Sequence, residues 1–169
     1  MFVAIDRTSK YAYAELHDWA TRMASRDFLT HLIAAVSYRI HTILTDNGFQ
    51  FAARRGTGAY WMIPFERICS AHKIEHRLTQ ICHPWTNGQV ERMNRTNRTI
   101  KEATVKRRHY ESHDQLKTHL QSFLLAYNFA RRLKTLGGMT PYEFICSCWT
   151  TQPERFTVNP LHFTVGLNN

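Results

Sequence analysis

The hydrophobic pattern of this chain changes repeatedly between a strand period and a helix period, and that order limits the folds open to it. A partly alternating pattern over residues 2–16 predicts a β-hairpin, and apolar residues at helical spacing over 21–37 predict a helix. A β-branched run at 40–45 predicts a buried strand, residues 60–72 a second helix, and 74–78 a further short strand. Strands that alternate with helices in this way indicate an α/β layer.

The second half of the chain is mainly helical. Long helices are predicted over residues 88–109 and 114–133, and a short last helix begins after a capping residue at Thr140. With the first half, this predicts an α/β fold in which helices flank a mixed sheet. No linker-like stretch divides the chain, so we expect one domain over residues 1–150 and a C-terminal extension over 151–169.

The charge balance favours a polyanionic partner. Lys and Arg number 22 against 13 Asp and Glu, which gives a net charge of +9, and basic side chains gain affinity by releasing the counterions of nucleic-acid phosphates. A basic protein without a nucleic-acid role is the alternative. No apolar run reaches the roughly 20 residues of a membrane span, and the N-terminus does not read as a signal peptide. We therefore expect a cytoplasmic protein.

The cysteine and histidine residues do not predict a disulfide framework or a zinc site. The four cysteines are scattered and no C-x₂-C pair meets a histidine pair. His72 and His76 match an inverted zinc-protease pattern, H-x-x-E-H, which requires a helix. Apolar and charged residues alternate over 74–78, so a strand is favoured there and the match is interpreted as chance.

Two acidic residues stand where a divalent metal ion would be bound. Asp46 directly follows the strand predicted over 40–45, and Glu91 lies in the first turn of the helix predicted over 88–109. Mg²⁺ and Mn²⁺ prefer carboxylate oxygens and use few protein ligands. Each acid also has an ordinary explanation, because aspartate is common in turns and glutamate is favourable at a helix N-terminus.

The motifs around these acids resemble the integrase core of DDE transposases and retroviral integrases, and are most similar to bacterial insertion-sequence transposases. The similar segments are Thr45-Asp46-Asn47-Gly48 with Phe51, His83-Pro84-Trp85-Thr86-Asn87-Gly88-Gln89-Val90-Glu91-Arg92-Met93-Asn94, Thr99-Ile100-Lys101-Glu102-Ala103, Tyr127-Asn128 and Thr140-Pro141-Tyr142-Glu143. They extend over nearly the whole chain and occur in the family's order.

The resemblance implies a ribonuclease H-like fold and DNA integration or transposition by metal-dependent phosphoryl transfer. Asp46 and Glu91 correspond to the second and third acids of the catalytic triad, and would bind Mg²⁺ or Mn²⁺. The family cleaves and joins transposon ends and target DNA without a covalent protein–DNA intermediate, and works as multimers.

The first acid of the triad has no clear counterpart. In the family it lies on the opening strand of the sheet, whereas residues 2–5 resemble the second strand. We therefore expect the first strand and its acid to be missing, and this polypeptide alone to be inactive in strand transfer. The alternative makes Asp6 the first acid, but Asp-x-x-Ser between two strands is ordinary turn chemistry.

The helix after Glu91 carries basic residues at every third position, which places them on one slowly drifting face. We predict that this face contacts DNA phosphates, with a solvated surface as the alternative. The predicted DNA-binding residues are Arg92, Arg95, Arg98, Lys101, Trp85 and Asn87. Trp85 is equally compatible with a place in the core. The second hypothesis for the whole chain is a catalytically dead transposase fragment that retains only DNA binding or part of the fold.

Overall fold

The computed structural model describes residues 1–52, 63–79 and 112–162 of the chain. In chain order, its main elements are β1 (Phe2–Ile5), β2 (Ala12–Glu15), α1 (Arg22–Ala35), β3 (Thr42–Thr45), α2 (Pro64–Ala71), β4 (Glu75–Leu78), α3 (His113–Leu125), a π-helical turn (Ala126–Ala130) and α4 (Pro141–Thr151). The mixed α/β class is confirmed. In the described ranges the strands form two separate two-stranded sheets, β1–β2 and β3–β4.

The chain divides into two compact units. The first comprises Met1–Phe2, His17–Ile81 and Gln152–Asn169, and the second comprises Val3–Leu16 and Cys82–Thr151.

The first unit is built on a strand–helix–strand arrangement. Strands β3 and β4 are parallel, with Thr42 opposite Glu75 and Thr45 opposite Leu78, and α2 connects them as the crossover that a parallel pair requires. Pro64 occupies the first turn of α2, where its missing N–H costs nothing. The helix predicted over 60–72 and the strands predicted over 40–45 and 74–78 are confirmed, with shorter bounds. The prediction that the first of these strands is buried is wrong, because Thr42 and Leu44 are exposed.

The core of the first unit lies between α1 and α2. The sequence offers Thr21 or Asp18 as the cap of α1, and the structure shows that Thr21 caps this helix by accepting a hydrogen bond from Ala24 N at 3.0 Å. Leu29 of α1 and Phe65 and Cys69 of α2 are at most 2% exposed. Full burial of each of these apolar side chains contributes on the order of 1.5–3 kcal/mol.

The C-terminal segment belongs to this unit. Arg39 N donates to Arg155 O at 3.0 Å and Thr157 N donates to Ser37 O at 2.8 Å. The rings of Tyr38 and Phe156 meet edge to face. The described residues after α4 therefore pack against the segment that follows α1.

The second unit holds the predicted hairpin, α3 and α4. The single helix predicted over 114–133 is wrong in its second half, because α3 ends at Leu125 and the π-helical turn follows. Asn128 in this turn is buried, and its amide bonds both backbone groups of Ala12 in β2, accepting from N at 2.9 Å and donating to O at 2.8 Å. These two hydrogen bonds hold the π-helical turn against β2.

Helix α4 begins as the sequence predicts. Thr140 Oγ1 accepts from Glu143 N at 3.1 Å, and Glu143 Oε2 accepts from Thr140 N at 2.8 Å. This reciprocal pair satisfies two backbone donors at the helix start. No helix in the part of the chain that the structure describes has the length and apolar character needed to cross a membrane.

Candidate metal site

Asp46 lies at the carboxyl end of β3, and its side chain is exposed. The parallel strand β4 ends at the same edge of the sheet. Oδ1 of Asp46 accepts a hydrogen bond from Gly48 N at 2.9 Å. Within the described ranges Oδ2 has no hydrogen-bond partner.

The turn that carries Asp46 is fixed by its neighbours. Asn47 Nδ2 donates to Thr79 O at 2.7 Å, and Thr79 N donates to Thr45 O at 2.9 Å. Gly48 O accepts from the backbone N–H of Phe51 at 2.9 Å. The turn is therefore attached to the end of β4 and closed on itself without using Oδ2 of Asp46.

The first turn of α1 supports the same loop. Ser25 is fully buried, and its hydroxyl donates to Gln50 O at 2.9 Å. Arg22 Nε donates to Phe49 O at 3.1 Å. Backbone groups after Asp46 are thus bonded to a helix with a buried face, and the carboxylate sits on a rigid support.

Gly48 leaves room for the carboxylate. A Cβ atom added at Gly48 would lie 2.8 Å from Asp46 Oδ1 and 2.5 Å from Gln50 Nε2, which is too close for any real contact. A larger residue would therefore force the two side chains to move.

The donor chemistry of Asp46 fits a divalent cation. Hard ions such as Mg²⁺ take carboxylate oxygens and retain several water molecules, so one free carboxylate oxygen at an exposed edge is a suitable partial site. In residues 1–52, 63–79 and 112–162, no three acidic, histidine or cysteine side chains cluster to form a complete metal site. Further ligands would come from residues outside those ranges or from DNA phosphates.

A chain of side chains that the sequence did not predict lies behind the Asp46 turn. Thr45 Oγ1 lies 2.8 Å from His76 Nε2, and His76 Nδ1 lies 2.7 Å from Glu66 Oε2. The His76 side chain is completely buried and packs against the ring of Phe65. Burial, with a smaller contribution from the Glu66 charge, raises the pKa of the neighbouring Cys69 thiol to about 12.

This geometry also explains the H-x-x-E-H pattern. His72 follows the end of α2, whereas His76 lies on β4, so the pattern falls on a turn and a strand. The predicted strand is confirmed, and Glu75 points to Thr42 and Arg77 instead of toward a histidine pair.

Asp6 has a different environment from Asp46. Its Oδ1 accepts from Thr8 N at 3.0 Å, and its Oδ2 accepts from Ser9 N at 3.1 Å and Ser9 Oγ at 2.5 Å. Both oxygens therefore hold the β1–β2 turn together. A role for Asp6 as a metal ligand would require these bonds to be exchanged.

The remaining predicted site residues lie outside the described residues. They are Glu91, Arg92, Arg95, Arg98, Lys101, Trp85 and Asn87.

Comparison with known proteins indicates the fold, and part of the chain matches a known family model. Residues 72–141 match the family model described as an integrase core domain. The structure is similar to the crystal structure of the catalytic core domain of BIV integrase, with a TM-score of 0.63 and 23% identity over 89% of this chain and 88% of that chain. An uncharacterized protein of Caenorhabditis elegans is 28% identical over 143 residues, 85% of this chain. The chain spans 10% of that relative's length.

Proposed function

We propose that this chain cuts and joins DNA strands by metal-dependent phosphoryl transfer, as in transposition of an insertion sequence, and the match of residues 72–141 to an integrase core domain model supports this. The proposal rests on the position and hydrogen bonds of the Asp46 side chain. Its carboxylate is exposed at the end of β3, rests on a turn fixed by other groups, and keeps one oxygen free among the described residues. A metal-binding acid needs this combination of rigid support and free oxygen.

In this proposal Asp46 and Glu91 bind Mg²⁺ or Mn²⁺ as two acids of a DDE-type site. Such ions, when bound, lower the pKa of an attacking water or 3′-hydroxyl and stabilise the leaving oxygen. The chain's own part is to orient the acids. The Gly48 N–H holds Oδ1 of Asp46, and Asn47 fixes the turn to the backbone of Thr79.

The proposed substrate is DNA, at transposon ends and at a target, bound by a multimer of the chain. A net charge of +9 supports a polyanionic partner. The proposed contacts to DNA come from Arg92, Arg95, Arg98, Lys101, Trp85 and Asn87.

The test is nicking of supercoiled plasmid DNA by the purified chain with MgCl₂ or MnCl₂. Since the sequence predicts that this polypeptide alone does not carry out strand transfer, the assay reads only nicking, which we expect to depend on the metal and to be lost in Asp46→Asn and in Glu91→Gln. Asp18→Asn is the matched control, because Asp18 is an exposed aspartate between β2 and α1. Nicking that survives in Asp46→Asn would refute the assigned role of Asp46.

DNA binding without cleavage is a second candidate, favoured by the state of Asp6. Since both Asp6 oxygens are used in the hairpin turn, this residue is not available as a third acid in the described arrangement. The outcome that supports this candidate is salt-dependent binding of duplex DNA, measured by fluorescence anisotropy, by a chain that nicks no DNA with either metal.

A further inference from the structure

Side chains behind Asp46 form a continuous path from α2 to the Asp46 turn, which we call the buried path after its completely buried central residue, His76. Glu66 of α2 contacts His76 of β4, His76 contacts Thr45 of β3, and Thr45 Oγ1 also donates to the backbone carbonyl oxygen of Asp46 at 3.1 Å. The path therefore links three elements of the first unit. It ends on the peptide group of the residue proposed to bind metal.

The hydrogen atoms available on this path determine which group donates at each contact. The Thr45 hydroxyl has one hydrogen and gives it to Asp46 O, so at the His76 contact Thr45 is the acceptor and Nε2 must donate. Nδ1 faces a carboxylate oxygen of Glu66 at 2.7 Å, and this contact is favourable when Nδ1 also donates. All three contacts are satisfied together when Nε2 carries a proton and a second proton lies between Nδ1 and Glu66 Oε2, on either atom.

A His76 ring with its only proton on Nδ1 would change the last contact. Nε2 would then become an acceptor and take the hydrogen of the Thr45 hydroxyl. Thr45 would have no hydrogen left for the Asp46 carbonyl, so the path requires a proton on Nε2.

We propose that Glu66 and His76 are positioning residues, which hold Thr45 so that its hydroxyl orients the peptide of Asp46 and hence the metal-binding carboxylate. The inference rests on the proposed function of Asp46. Groups that orient a metal ligand without touching the metal typically change metal affinity by 10–100-fold when they are removed.

The first experiment measures binding of Mn²⁺ to the full chain by isothermal titration calorimetry. Thr45→Val removes the hydroxyl at nearly constant volume, and we expect about tenfold weaker Mn²⁺ binding. Thr45→Ser keeps the hydroxyl and should restore most of the affinity. Thr42→Val is the matched control, because Thr42 lies on the same strand and its hydroxyl bonds Glu75 instead of the Asp46 turn. We expect Thr42→Val to bind Mn²⁺ like the wild type.

The second experiment observes the His76 ring directly by ¹⁵N nuclear magnetic resonance at pH 7. Nε2 should show the chemical shift of a protonated nitrogen in the wild type, and Nδ1 should change its shift in Glu66→Gln, which loses the carboxylate. This readout does not depend on metal or on activity. An unprotonated Nε2 in the wild-type protein would overturn the proposal, because Thr45 would then give its hydrogen to His76.

Asp46→Asn distinguishes failure of this inference from failure of the proposed function. If Asp46→Asn binds Mn²⁺ as tightly as the wild type, the proposed function of Asp46 is wrong. If Asp46→Asn loses affinity while Thr45→Val and His76→Phe retain it, Asp46 binds the metal without help from the buried path, and only the inference is wrong. Equal losses in Thr45→Val and Thr45→Ser would likewise overturn it, since the hydroxyl would then be irrelevant.

Discussion

Asp6 and Asp46 begin turns in the same way, and yet their carboxylates are used differently. Each follows the last residue of a short strand and accepts a hydrogen bond from a backbone N–H two positions later, Thr8 and Gly48 respectively. At Asp6 a buried serine adds two more donors to the second oxygen. The corresponding position after Asp46 is Phe49, whose side chain has no hydrogen-bond donor, and the second oxygen of Asp46 has no hydrogen-bond partner among the described residues.

The difference shows how a turn residue becomes available for chemistry. An aspartate whose two oxygens both accept hydrogen bonds stabilises its own turn, and leaving a buried donor without its acceptor costs about 1–3 kcal/mol. An aspartate can bind a ligand without loss of the turn when other groups close that turn. Asn47 and the Gly48 carbonyl do this for Asp46.

The largest expected effect is a difference in Mn²⁺ affinity between variants of the two aspartates. Asp46→Asn should weaken Mn²⁺ binding by about 100-fold or more, at or above the upper end of the range for groups that only orient a ligand. Asp6→Asn should leave the affinity within about twofold, since its oxygens hold the turn. Calorimetric titration of both variants checks this. If Asp6→Asn shows the larger loss, Asp6 is the metal ligand and the comparison is reversed.

The next largest effect is a difference in the free energy of unfolding between variants of Asp6 and Asp46. Asp6→Ala should lower the free energy of unfolding by about 2 kcal/mol, because Ser9 N and Oγ are buried and would lose their acceptor. Asp46→Ala should change it by less than about 1 kcal/mol, since a single exposed bond is lost. Urea denaturation followed by circular dichroism measures both. Equal changes would show that the two turns depend on their aspartates equally.

A smaller effect tests what closes the Asp46 turn. Asn47→Ala removes the 2.7 Å bond to Thr79 O and should cost about 1 kcal/mol of unfolding free energy. Asn47→Asp is the companion variant, because it keeps the shape and removes the N–H donor. Both should destabilise the protein more than Asp46→Ala does. The opposite order would mean that the Asp46 carboxylate is itself the main support.

The smallest effect concerns Gly48. In Gly48→Ala the added Cβ would displace the ends of the Asp46 and Gln50 side chains, which move at little cost in stability. We expect about threefold weaker Mn²⁺ binding, which is about 0.7 kcal/mol, with nearly unchanged denaturation. An unaltered affinity would mean that the position of Oδ1 in this turn is not important for the metal.

The local features of both turns could be predicted from the sequence. Asp-x-x-Ser after an apolar strand indicated the first turn, and Asp-Asn-Gly indicated the second. The caps at Thr21 and Thr140 likewise mark helix starts that the structure confirms. All of these depend on donors and acceptors that are a few positions apart, so their chemistry is visible in a short window of sequence.

The buried path could not be predicted in this way. Thr45, Glu66 and His76 lie on three different elements, and only the parallel register of β3 and β4 brings Thr45 to the same face as His76. The π-helical turn was missed for a similar reason, since its Asn128 is bonded to a strand 116 positions earlier. A regular helical pattern continued through that point in the sequence.

The Asn128 amide has a consequence for how the chain is made. By bonding N and O of Ala12, it occupies the outer edge of β2 as a neighbouring strand would, and an open strand edge is where chains associate wrongly. Asn128 leaves the ribosome 116 residues after Ala12, which takes on the order of 10 s at about 5–20 residues per second. During that interval the hairpin edge is open, and the nascent chain is most exposed to aggregation before synthesis reaches residue 128.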